Sequence, residues 1–119
     1  MTRATSCPLC AFTSDATVVY EDATWIVRSI SKQPAIAGWL IVQTRRHIPD
    51  VAELNAEEAA SFGPLLQRVS HVVREATDAR RIYIGSLNEG TPHFHTHVLP
   101  RLADMPTGAL RQELTTGTH

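Results

Sequence analysis

Three histidines stand at alternate positions in the run His93-Phe94-His95-Thr96-His97-Val98-Leu99. In a β-strand side chains repeat every two residues, so this spacing predicts three imidazoles on one face, about 6.5 Å from ring to ring, with Phe94, Thr96 and Val98 facing the other way. An apolar core has little use for such a row, because each partly polar ring costs stability on burial unless it finds a hydrogen-bond partner. The row suits two chemistries, metal ligation and phosphate chemistry with a histidine nucleophile. In the second, one neutral imidazole attacks phosphorus and holds the group as a phosphoramidate, splitting one displacement into two easier ones. An acceptor on its far nitrogen must fix the tautomer, while neighbouring rings share protons with the phosphate and the leaving group. His95, flanked on both sides, is the natural nucleophile, and His97 the phosphate donor. The alternative is a solvated strand face.

A second cluster with chemical potential is Cys7-Pro8-Leu9-Cys10, which holds the only two cysteines of the chain. Two thiolates at this spacing suit zinc and need two further ligands. A thiol-disulfide role fits poorly, since the redox version opens a helix after a strand. At 119 residues with eleven basic and twelve acidic side chains, net charge -1, the chain reads as one domain able to bury its own core. That balance gives no general attraction to nucleic acid or an anionic membrane. No apolar run reaches the roughly 20 residues of a membrane span, and none resembles a signal-peptide core. The expectation is a cytoplasmic protein with a small-molecule partner.

The elements that would position these residues follow from local pattern. Residues 17–20 are β-branched and aromatic and predict a first strand, Glu21-Asp22 a hairpin turn, 23–30 a second strand broken by Pro34, and 38–43 a third ending at the basic corner Arg45-Arg46-His47. Asn55 with Glu58 three residues on predicts a capping box opening a helix that runs to about Thr77. Its apolar stripe would be Ala59, Phe62, Leu65, Leu66, Val69, Val72 and Val73, with a kink at Gly63-Pro64 and His71 on the surface. Residues 81–87 predict a fourth strand, 88–92 a turn and 93–99 the fifth, ended by Pro100. The whole predicts an α+β domain, a mostly antiparallel five-stranded sheet with one long helix packed on it.

At this point the chain resembles a known family. His93-Phe94-His95-Thr96-His97-Val98-Leu99 is similar to the signature of the histidine-triad (HIT) family, histidines alternating with mostly apolar residues, and Pro100-Arg101 is a frequent continuation. The Cys-x-x-Cys, the Tyr20-Glu21-Asp22 turn, residues 38–47, the helix and 88–101 stand in family order. The resemblance implies a HIT-like fold and a nucleotide hydrolase or nucleotidyl transferase acting at the α-phosphate, of the phosphoramidase or dinucleoside polyphosphate hydrolase class, with a covalent nucleotidyl intermediate on His95. It implies His97 and His93 as further catalytic residues, and Asn88 and Thr91 in substrate binding. It also implies a structural zinc held by Cys7, Cys10, His47 and His93, a zinc knuckle at about 1–12, a flexible tail at about 103–119, and a homodimer. A ligand on the catalytic strand would fix that strand and staple the N-terminal segment to the sheet.

Several positions depart from the family pattern. Ser31 falls, by counting back from His47, where many members carry an aspartate on the ribose hydroxyls. Trp39 replaces a histidine after Gly38, Thr44 replaces a proline, and the loop 89–92 lacks the usual Gly-Gln-Ser/Thr. Thr96 is polar at a usually apolar position. Trp39 reads as a core tryptophan or as a stacking partner for a base. Two other functions stay open on the sequence: a metalloenzyme with His95 and His97 as zinc ligands, and a HIT-like module that binds nucleotides or a partner with little turnover.

Overall fold

Asp22 starts the sheet by closing its first hairpin. Its carboxylate Oδ1 accepts from the amides of Thr24 and Trp25, at 2.8 Å each, an Asx arrangement that turns the chain within three residues. β1 (Val18–Glu21) therefore includes Glu21, paired with Ile26 of β2 (Trp25–Ser29), and the turn lies one residue later than the sequence predicts. The computed structural model describes residues 18–29 and 38–101; Cys7, Cys10, Ser31, the knuckle and the tail lie outside them. β3 (Leu40–Thr44) pairs with β2, and after the short 3-10 turn Val51–Glu53 comes α1 (Ala56–Thr77), then β4 (Arg81–Gly85) and β5 (His95–Arg101). The sheet order is β1-β2-β3-β5-β4 and every neighbouring pair is antiparallel. This is the α+β architecture the sequence predicts.

The register divides the sheet into two faces. Phe94, Val98, Val42, Trp25 and Val27 form one core cluster with Leu65, Val69 and Val73 of α1 and with Ile48, while Trp25 stacks on Phe62 with ring centroids 5.4 Å apart. Helix α1 thus covers the face opposite His95 and His97. Its stripe is narrower than its apolar spacing suggests: Val72 is 61% exposed and Ala59 is exposed. The predicted capping box is present in both directions, with Asn55 Oδ1 accepting from the Glu58 amide and Glu58 Oε1 from the Asn55 amide, both at 2.8 Å. Glu58 also accepts two bonds from Arg46, at 2.7 and 2.9 Å, tying the helix start to the corner that carries His47. α1 continues through Gly63-Pro64. Gly63, Pro64 and Ala60, whose carbonyl the proline leaves without its helical donor, are all exposed, and Gly63 has no Cβ to meet the proline ring.

β5 differs from its predicted bounds at both ends. It starts at His95, because His93 and Phe94 turn their amides to the carbonyls of Thr91 and Ile48. It continues through Pro100, which opposes Ile82 of β4. β3 reaches only as far as Val98, so at Pro100 the strand has a single neighbour and a missing N–H breaks no ladder.

Candidate active site

The strand alternation places His95 and His97 on the face away from the helix, alongside Gln43 and Ile41 of β3 and Gly85 of β4. Their rings are 5.2 Å apart, and both are almost fully buried, at 2% and 4% exposure. His93, two residues before the start of β5, joins a different pair. Its ring stands perpendicular to His47 with centroids 5.1 Å apart. The row of three imidazoles predicted for one strand is therefore two on the strand and one beside the corner after β3.

Each ring has a defined partner. His95 Nδ1 lies 2.7 Å from the carbonyl oxygen of His93, which only accepts, so Nδ1 carries the proton and the lone pair is on Nε2. His93 Nε2 lies 2.7 Å from the carbonyl of Thr44, and by the same reasoning the basic nitrogen of His93 is Nδ1. His97 Nδ1 accepts from Trp39 Nε1 at 3.0 Å. Burial pushes the His93 imidazole below the ordinary histidine range, and the nearby His47 and His95 act in the same direction, against the Thr44 carbonyl, which favours the charged form. His93 is thus held neutral near pH 7, as a metal ligand must be.

The turn before β5 is built to hold the backbone of His95. Asn88 adopts φ +61°, a left-handed conformation that asparagine tolerates, and from there its Oδ1 accepts from the His95 amide at 3.0 Å. Ser86 Oγ donates to the His95 carbonyl at 2.7 Å and lies 3.2 Å from Asn88 Nδ2. Both backbone groups of His95 are engaged by side chains of one turn, so Asn88 is brought to the site by a local contact. Thr91 contributes its carbonyl to the His93 amide.

Sequence reasoning passed over Arg28 and Gln43 and saw only half of Trp39. Trp39 is buried at 2% exposure, as its core reading expects, and in addition places its N–H on His97. Arg28 and Gln43, both buried on the histidine face, bond each other at 3.0 Å. These links join residues 15 and 58 positions apart and leave no local signal in the chain.

For the zinc, the donor chemistry fits as far as the described residues reach: two adjoining imidazoles, one with its tautomer fixed by a carbonyl as ligating histidines are. Among the described residues no three histidine, cysteine, aspartate or glutamate side chains are grouped to hold a metal. Nor is any helix there long and apolar enough to cross a membrane.

No curated protein matches the chain. Solved structures with the same fold include a HIT family member from Bacillus subtilis, 18% identical over 93% of this chain and 94% of that one, with a TM-score of 0.69. A HIT family hydrolase from Clostridium thermocellum is 20% identical over 87% and 97%, with a TM-score of 0.64. A zinc-bound histidine triad family protein from Mycobacterium smegmatis is 24% identical over 76% and 69%, with a TM-score of 0.63. The family model for the HIT domain matches residues 11–104, a span that takes in every described strand and the helix, and the chain belongs to the HIT domain family.

Proposed function

We propose that the chain is a nucleotide hydrolase or nucleotidyl transferase that acts at the α-phosphate through a covalent intermediate on His95. Family membership supports a nucleotide-binding or hydrolase role. The observation that carries the finer reading is the 2.7 Å bond from His95 Nδ1–H to the His93 carbonyl, which aims the lone pair of a neutral imidazole away from its own backbone. His95 Nε2 attacks the α-phosphorus, the P–N bond forms as the bond to the leaving group breaks, and the leaving group departs with a proton taken up from solvent. Water then attacks phosphorus, the P–N bond electrons return to Nε2, and the proton lost by water restores the balance. His97 donates to a phosphate oxygen as charge builds on it. Asn88 and Ser86 keep the His95 backbone from shifting under the attack, and Thr91 lies in the loop that would meet the substrate.

Cys7, Cys10, His47 and His93 would hold a structural zinc, whose chemistry is to bind thiolates and imidazoles firmly. His93 serves both tasks: a side chain for the metal and a carbonyl for the nucleophile.

The test is intact-protein mass spectrometry on a His97→Asn variant incubated with an adenosine phosphoramidate and with a dinucleoside polyphosphate, beside steady-state kinetics of His95→Ala. A nucleotidyl adduct is expected, absent from the His95→Ala, His97→Asn double variant, and His95→Ala should lose more than about 10²-fold in kcat. Retention of more than about a hundredth of wild-type kcat by His95→Ala would overturn the covalent role.

A further inference from the structure

Gly38 is fixed against the end of α1. Its φ is +87°, and a Cβ there would stand 2.9 Å from Thr77 Cγ2, 3.6 Å from Val73 Cγ1 and 3.5 Å from Pro100 Cγ. No other residue type fits both the close approach and the left-handed backbone. The next residue, Trp39, lies on the opposite face of the sheet, edge-on to His97 with ring centroids 5.7 Å apart. Its indole N–H meets His97 Nδ1 at 3.0 Å in a buried setting.

We infer that Trp39 is a positioning residue that fixes the tautomer of His97, keeping its proton on Nε2 and thereby making His97 a permanent donor toward the substrate phosphate. An indole N–H donates and has no acceptor capacity. A histidine, an amide or a water in its place could reverse roles and let His97 move its proton to Nδ1; tryptophan cannot. Protonating Nδ1 would set two N–H groups against each other and require this contact to break. Buried polar groups lose far more from such a mismatch than exposed ones. The tryptophan ring is held by the bulk around it and by the glycine before it, so the N–H is aimed without a flexible side chain to order. The kinetic part of this inference rests on the nucleotidyl-transfer reading above; the tautomer does not.

The experiment has two arms. Long-range proton–nitrogen NMR of histidine-labelled full-length protein, with His97 assigned by comparison with His97→Asn, reads the tautomer directly. The wild type is expected to show His97 as the Nε2–H form alone, and Trp39→Phe, which keeps an aromatic ring and removes the N–H, a mixture of both forms. Hydrolysis of an adenosine phosphoramidate by Trp39→Phe should fall about 10- to 100-fold in kcat with KM within threefold, by analogy with the loss that follows removal of the hydrogen-bond partner orienting a metal-bound imidazole. Trp39→His, which restores a ring N–H, should recover part of the loss. A wild-type His97 protonated on Nδ1, or a folded Trp39→Phe with unchanged tautomer and kcat, would overturn the inference. If Trp39→Phe fails to fold, the wild-type spectrum and the His97 tautomer in Trp39→His decide it: both forms in Trp39→His are expected, because its ring can accept as well as donate, and the Nε2–H form alone there would overturn the inference. Absence of nucleotide turnover in the wild type, with the Nε2–H form intact, would sink the proposed function and leave the tautomer assignment standing.

Discussion

Replacing Glu58 with glutamine should destabilise the domain by about 2 kcal/mol at neutral pH and by progressively less as the pH falls below about 4. The carboxylate is 3% exposed and accepts from Arg46 Nη2 at 2.7 Å, Arg46 Nε at 2.9 Å and the Asn55 amide at 2.8 Å. Glutamine keeps one acceptor oxygen and turns an NH2 group toward a guanidinium that only donates. The change removes one charge-assisted bond, worth about 1.5 to 3 kcal/mol, and weakens the others to neutral strength, about 0.5 to 1.5 kcal/mol each. The full penalty of about 3 to 5 kcal/mol for breaking a buried pair is not reached, because the Arg46 side chain is 33% exposed and turns to water. The hydrogen bonds from Arg46 hold the Glu58 carboxyl below the ordinary carboxylate range, helped by the Asn55 amide and opposed by burial. A depressed folded-state value means that the stabilisation is complete above the unfolded-state pKa of about 4.3 and is lost as pH falls through the folded-state value. Glutamine has no proton to gain, so the gap between the two proteins must close in that window. Urea unfolding at pH 7 and pH 3, with equal m-values required of both proteins, measures it. A gap under about 0.5 kcal/mol at pH 7 would place the pair with ordinary surface ion pairs. A gap as large at pH 3 as at pH 7 would show that shape, not charge, is what glutamine disturbs.

Thr96 offers the opposite sign. Its Oγ1 is buried with no hydrogen-bond partner on the face away from His95 and His97, so Thr96→Val should raise stability by about 1 kcal/mol, read as a higher urea midpoint at unchanged m; a lower midpoint would mean that the hydroxyl is satisfied in solution. Elemental analysis should find about one zinc per chain, lost in Cys7→Ser and His47→Ala and kept in His95→Ala. The reverse pattern would move the metal to His95 and His97.

What could be read in the chain was what local spacing dictates. Asn55 and Glu58 announce the helix because a capping box closes within four residues, and His95 and His97 share a face because strand side chains alternate. Pro100 misled because a proline ends a strand only where its N–H is needed, and that depends on how far β3 runs alongside. His93 fell out of the row because its amide answers a carbonyl two residues back, a turn that outweighs strand pattern. The bond from Trp39 to His97 spans 58 positions and follows only once β3 and β5 are neighbours; before that, a buried tryptophan reads as packing.

The strand order carries a consequence for how the molecule comes into being. β5 is the last of the described strands in sequence, yet it lies between β3 and β4. During synthesis the meander β1-β2-β3 is complete long before its neighbour emerges, and the inner edge of β3, with Leu40, Ile41 and Val42 along it, stands open. An unpaired, apolar edge invites pairing with another chain. Closing it requires contacts between segments about 55 residues apart, as in Ile41 opposite His97, the kind of distant pairing that slows folding. The strand that carries the histidines is therefore also the one that seals the sheet. A nascent or mutant chain in which β5 docks late would be aggregation-prone and inactive at once, and its two defects would share one rate.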